Sequence, residues 1–130
     1  MARLADIVFD ATHAASLARF WAAALDGYAI APYDDEEIAR LRALGFDGPE
    51  DDPSVIIEGP GLRVCCQLVP EGKTAKNRAH VDLACIDLEA EVARLETLGA
   101  RRLDHQPPPE DRYVALVDQQ GNEFCLVQRD

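Results

Sequence analysis

Cationic residues are scarce in this chain. Thirteen Lys and Arg stand against 24 Asp and Glu, a net charge of −11 over 130 residues. Such a surface repels a phosphate backbone and argues against nucleic acid as a partner. Aromatic residues are also few: one Trp, three Tyr and four Phe, so the core must be built mainly from aliphatic side chains. Long apolar runs are missing. The most apolar stretch, Phe20-Trp21-Ala22-Ala23-Ala24-Leu25, is far too short to span a bilayer. The opening residues Met1 to Asp6 lack the apolar core of a signal peptide, so a cytoplasmic location is the expectation. No CxxC pair occurs: Cys65, Cys66, Cys85 and Cys125 lie in strand-like runs, which predicts reduced thiols. What remains is 48% apolar, enough for one domain with a single core and too much for disorder.

Periodicity divides the chain into alternating strands and helices. Ala5 to Ala11 reads as a strand with Ile7 and Phe9 on one face and Asp6 and Val8 on the other. His13 to Leu25 carries apolar residues at helical spacing, including Leu17, Ala18 and Trp21, and Asp26-Gly27 ends it. Tyr28 to Tyr33 is a weaker strand. An acidic insertion at 34–53 follows. Asp35 is the expected cap of a short helix with Ile38, Leu41 and Leu44 as its stripe, and the turn-rich FDGPEDDP comes after it. Ser54 to Glu58 and Leu62 to Val69 form a hairpin through Gly59-Pro60-Gly61. Residues 71–78 read as a polar connector.

The order then restarts. Ala79 to Cys85 is a strand and Asp87 caps a helix with Val92, Leu95 and Leu98 on its stripe and Gly99 at its end. Arg101 to Leu103 is a short strand, the run Pro107-Pro108-Pro109 enforces a loop, and Tyr113 to Val117 and Glu123 to Gln128 are strands around the turn Asp118 to Asn122. The chain therefore repeats itself. Asp6-Ile7-Val8-Phe9 aligns with His80-Val81-Asp82-Leu83, and Cys65 to Val69 aligns with Glu123 to Val127. The expected fold class is α+β: two βαβββ modules, 1–70 and 79–130, forming a curved, partly closed mixed sheet within one domain. Ile7, Phe9, Val81, Leu83, Phe124 and Leu126 should face the helices. Asp6, Gln67, His80, Asp82, Glu123 and Cys125 occupy the opposite face, and a polar sheet face predicts a wet cavity there.

Three stretches, LARFWAAALDGY, KNRAHVDLACIDLEAEVARLETLGARRL and DQQGNEFCLV, together with the order of elements, resemble the vicinal oxygen chelate superfamily. That superfamily contains glyoxalases, bleomycin-resistance proteins and extradiol dioxygenases, and the likeness is nearest to small glyoxalase-like proteins. The resemblance implies a metal site at four equivalent positions, which map onto Asp6, Gln67, His80 and Cys125. Cys125 stands where a glutamate is usual in metal-bearing relatives. A divalent zinc, iron or manganese ion is the implied cofactor, with a thiolate favouring zinc. A homodimer is implied in the same way.

Two accounts of this face stay open. In one, His80 is a ligand or general base oriented by Asp82 or Glu123. In the other it is a hydrogen-bonded cavity histidine, and Glu123 is a strand-end carboxylate in water. Lys76, Asn77 and Arg78 can bind an anionic group, with Arg78 best suited to a carboxylate, or can lock the connector. Phe46, Ile38 and Leu41 of the insertion are candidate apolar contacts to a ligand, and Trp21 belongs to the core. The functional expectation is a small-molecule-binding glyoxalase-like protein. The alternative is a metal-dependent lyase, isomerase or dioxygenase.

Overall fold

The repeat is visible as two four-stranded sheets with the same strand order. In the first, β1 (Asp6–Ala11), β2 (Ala29–Ile30), β3 (Ser54–Glu58) and β4 (Arg63–Leu68) are arranged β1-β4-β3-β2. In the second, β5 (Val81–Cys85), β6 (Arg101–Arg102), β7 (Tyr113–Val117) and β8 (Glu123–Gln128) are arranged β5-β8-β7-β6. Only β1–β4 and β5–β8 are parallel pairs; the other neighbours are antiparallel. The computed structural model describes residues 1–129. Its chain divides into two compact units, Met1–Gly72 and a second beginning at Lys73. Each unit is a βαβββ module, so the α+β class expected from the sequence is the class observed.

Helix α1 (Ala14–Ala24) exists because Leu17, Ala18, Phe20, Trp21 and Ala24 form an apolar stripe without an interrupting Gly or Pro. The stripe lies against β3 and β4. His13 caps the start, its Nδ1 accepting from the Ser16 N–H at 3.2 Å. Phe9 of β1 stacks on Trp21 with ring centroids 4.3 Å apart. In the second unit α3 (Leu88–Leu98) buries Val92 and Leu95 and packs on β7 and β8, where Leu116, Phe124 and Leu126 are buried. Asp87 caps it by accepting from Ala90 N–H, and Gly99 closes it in the left-handed region, at φ 116°.

Several local expectations shift. Asp34, not Asp35, caps the insertion helix α2 (Asp35–Ala43), because its carboxylate accepts from Glu37 N–H at 2.8 Å. Of the expected stripe on α2 only Leu41 is buried, and Leu44 is exposed. Strand β2 keeps two residues of the six expected, since beyond them only Ala31 N–H still bonds to β3, at Ile56 O. None of the four cysteines is in a disulfide, and of the four Cys66 alone is fully buried.

The repeat register also moves. In β1–β4 residue i pairs with i+57, as in Val8↔Cys65 and Asp10↔Gln67. In β5–β8 residue i pairs with i+43, as in Asp82↔Cys125. With Asp6 equivalent to His80, the two ladders agree only if Cys65, not Gln67, is equivalent to Cys125. Arg63 is then the counterpart of Glu123. The sequence alignment of the last strands was thus off by two residues, a slip that leaves every side chain on its original face.

Candidate functional site

The second unit gathers ionisable side chains on the face away from α3. His80 stands just before β5 and Asp82 two residues later, so both project to the same side. The parallel ladder sets Cys125 of β8 opposite Asp82. His80 Nε2 lies 3.4 Å from Asp82 Oδ1. One ligand atom each from His80, Asp82 and Cys125 falls within 4.8 Å of the other two. His80 and Asp82 are about half exposed, and Cys125 is half-buried. Burial, followed by the Asp82 charge, pushes the Cys125 thiol up.

Glu123 takes a different place from the one expected of a solvated strand end. It is buried, at 8% exposure. Its Oε2 accepts from Asn77 N–H at 2.5 Å and from Lys73 Nζ at 3.3 Å, while Lys76 Nζ lies 3.2 Å from Oε1. Burial pushes the carboxyl up, but the Asn77 N–H and the two ammonium groups act in the opposite sense and hold it below the ordinary glutamate range. Glu123 is therefore the anchor of the 73–77 segment, an arrangement in which Lys76 and Asn77 lock the polar connector. Its carboxylate is already engaged by three donors.

Beside this cluster lies a cavity of about 560 Å³ within the second unit. Leu103, Pro107, Tyr113, Ala115 and Phe124 form apolar wall, and Lys76, His80, Glu123 and Cys125 form a polar side. The 103–107 wall is fixed by Gln106. Its Nε2 donates to Leu103 O and Ala115 O, both at 2.7 Å, and its Oε1 accepts from Ala115 N–H at 2.9 Å. The amide thus continues the β6–β7 ladder past the point where β6 ends. Gln106 and the wall residue His105 were not singled out as site residues by the sequence reading; a lone glutamine before three prolines carries no signal for such a role.

The remaining sequence candidates fall elsewhere. Asp6 is bound by Arg63 through two parallel bonds, Nε to Oδ1 at 2.8 Å and an Nη to Oδ2 at 2.9 Å. Arg63 holds the Asp6 carboxyl below its usual range. Gln67 is exposed and pairs with Asp10 in the ladder. Phe46 is half-buried in the turn after α2, its N–H donating to Leu41 O. Arg78 is exposed and is not part of the cavity wall. The first unit has a smaller cavity of about 260 Å³, lined by Tyr33, Glu37, Asp52, Ser54 and neighbours. There the buried Asp52 accepts from Tyr33 Oη at 2.7 Å and from Ser54 N–H at 3.0 Å. Burial, then this carboxylate, raises the Tyr33 phenol well above its ordinary value.

A metal at the four positions implied by resemblance has to contend with this geometry. The Asp6 carboxylate is neutralised by a guanidinium, and Gln67 is out of register with Cys125. The donors that do converge, His80, Asp82 and Cys125, belong to one unit and offer nitrogen, oxygen and sulfur. Among the described residues no helix is long and apolar enough to cross a membrane.

Residues 6–127 match the family model described as a glyoxalase-like domain. No curated protein sequence matches the chain. Among solved structures, the fosfomycin resistance protein FosX from Mesorhizobium loti is 15% identical with a TM-score of 0.67, covering 98% of this chain and 91% of that one. FosX from Listeria monocytogenes, in complex with Mn(II) and 1S,2S-dihydroxypropylphosphonic acid, is 11% identical with a TM-score of 0.66, covering 98% and 90%. A glyoxalase/bleomycin resistance protein from Albidiferax ferrireducens is 15% identical with a TM-score of 0.61, covering 99% and 100%.

Proposed function

We propose, for a chain that belongs to the glyoxalase-like domain family, that it binds a small organic molecule in the cavity of its second unit. The observation that carries this reading is the cavity itself: about 560 Å³, apolar along Leu103, Pro107, Tyr113 and Phe124, and polar along Lys76, His80 and Cys125. Small-molecule sites have volumes of roughly 300–1,000 Å³ and combine apolar walls with a few polar groups that orient the ligand. The Mn(II)- and phosphonate-bound FosX shows that a protein of this fold holds a small oxygen-rich ligand.

Thermal-shift titration with fosfomycin, bleomycin and a panel of small carboxylic and phosphonic acids tests the reading. A binder raises the unfolding temperature by mass action on the folded state, about 2.7 kcal/mol at a hundredfold excess over Kd. Ala115→Phe fills the cavity from β7 and should abolish the shift. A compound that stabilises wild type and Ala115→Phe equally would place its site elsewhere and overturn this assignment.

A second reading, a metal-dependent lyase, isomerase or dioxygenase, is supported by the convergence of His80, Asp82 and Cys125, of which His80 and Cys125 line the cavity. A divalent ion held there supplies Lewis-acid polarisation of a ligand oxygen. The three side chains would bind it and the cavity wall would orient the ligand. Elemental analysis of protein purified without chelator decides this reading: a stoichiometric metal lost in His80→Ala supports it, and metal-free protein with unaltered stability in EDTA removes it.

A further inference from the structure

The segment that leads into β5 has almost nothing of its own to hold it. Residues 71–79 belong to no helix or strand. Among the described residues, they form no backbone-to-backbone hydrogen bond. The hydrogen bonds and ion pairs that this strap does make all end on one residue of β8. Glu123 Oε2 accepts from Asn77 N–H and Lys73 Nζ, Lys76 Nζ lies 3.2 Å from Oε1, and Glu123 O accepts from Asn77 Nδ2 at 3.5 Å. The Lys73 stem also covers Gly121, where an added Cβ would come within 3.2 Å of Lys73 Cγ. Glu123 itself is fixed, because it is buried and its backbone sits in the ladder opposite Val117. A stretch without backbone bonds, attached at one point, opens far more easily than the domain unfolds.

The strap carries part of the cavity with it. Lys76 lies on it, His80 follows it directly, and both line the cavity, as do Glu123 and Cys125. We propose that residues 73–80 are a movable wall of the cavity, latched by Glu123 alone, and that unlatching opens the cavity while relatching completes its polar side. The role in ligand entry rests on the reading of this cavity as the binding site; the latch rests on the contacts just described. In the opened state Lys76 and His80 leave the wall together, so the polar groups that orient a ligand are assembled only when the strap is closed.

Alkylation of the full-length protein by iodoacetamide, mapped by mass spectrometry, tests the latch without any ligand. Cys125 reports access to the cavity. Cys85, half-buried at the far end of β5, reports loss of the strand, and buried Cys66 reports unfolding of the first unit. Glu123→Gln should speed Cys125 modification relative to Cys85 by ~5–30-fold, the factor that one or two charge-assisted bonds set on an equilibrium. Glu123 also acts on the Cys125 thiol directly, so Lys73→Gln, a change outside the charges that act on that thiol, is the companion variant. It should speed Cys125 at least ~5-fold. Trypsin should cut after Lys76 and Arg78 faster in both variants, and circular dichroism checks that both are folded. Equal Cys125 rates in wild type and Lys73→Gln, or a rise shared equally by Cys85, would overturn the latch and leave the cavity reading standing. A strap that opens in a protein whose cavity binds no compound would support the latch and overturn its part in ligand entry.

Discussion

Replacing Glu123 by glutamine should destabilise the protein by about 1–2 kcal/mol. The amide keeps an oxygen for the Asn77 N–H but removes the charge that holds two ammonium groups. Sheltered charge-assisted hydrogen bonds contribute roughly 1.5–3 kcal/mol each. Lys73 is 30% exposed and keeps part of that value, whereas Lys76 is 67% exposed and falls toward the ~0–1 kcal/mol of surface pairs. At roughly 3–5 °C per kcal/mol for a domain of this length, the unfolding temperature should drop by about 3–10 °C. Glu123→Ala should cost about 3–4 kcal/mol, because Asn77 N–H also loses its partner. The pH dependence has a fixed sign. Since the folded carboxyl lies below its ordinary value of 4.5, its contribution is complete above that value and is lost as pH falls through the folded pKa. Urea unfolding of wild type and Glu123→Gln at pH 7 and pH 3 measures both effects. Equal stability at pH 7, or a gap that persists unchanged at pH 3, would refute the anchoring role.

Phe9→Ala should cost about 3 kcal/mol by removing the ring stacked on Trp21, and because Trp21 is the sole tryptophan its fluorescence should shift to the red. Gly59→Ala places a Cβ 2.4 Å from the Tyr28 ring. It should cost about 1–3 kcal/mol by overpacking and should break the Tyr28 Oη to Leu62 O hydrogen bond, seen as lost protection in the hairpin by hydrogen exchange. Asp87→Ala removes the cap of α3 and should cost about 1 kcal/mol, whereas Asp87→Asn should retain most of it. Chemical denaturation of the three proteins side by side checks the ranking.

Much of this architecture was legible because simple periodicities encode it. The bounds of β3, β7 and β8 follow from alternation, and Asp87 and Gly99 bracket α3 by their side-chain chemistry alone. The same alternation concealed the register. A slip of two residues preserves which face every side chain occupies, so only the ladder pairs Cys65 with Val8 and shows Gln67 to be misaligned. The site was partly legible for a related reason. His80, Asp82 and Cys125 were placed on one face by period, but their convergence depends on β5 and β8 being neighbours. The burial of Glu123 could not be read, since it depends on a connector folding back onto β8. Gln106 was unreadable because its amide acts in place of backbone.

The duplicated fold provides the same seat twice, and the halves furnish it differently. Asp6 and Arg63 sit where the other half has His80 and Glu123, so the first seat is filled by its own guanidinium. Giving the first half a histidine alone would leave that cation in place. Any engineered twin of the second site must therefore begin by evicting Arg63, and only then supply donors.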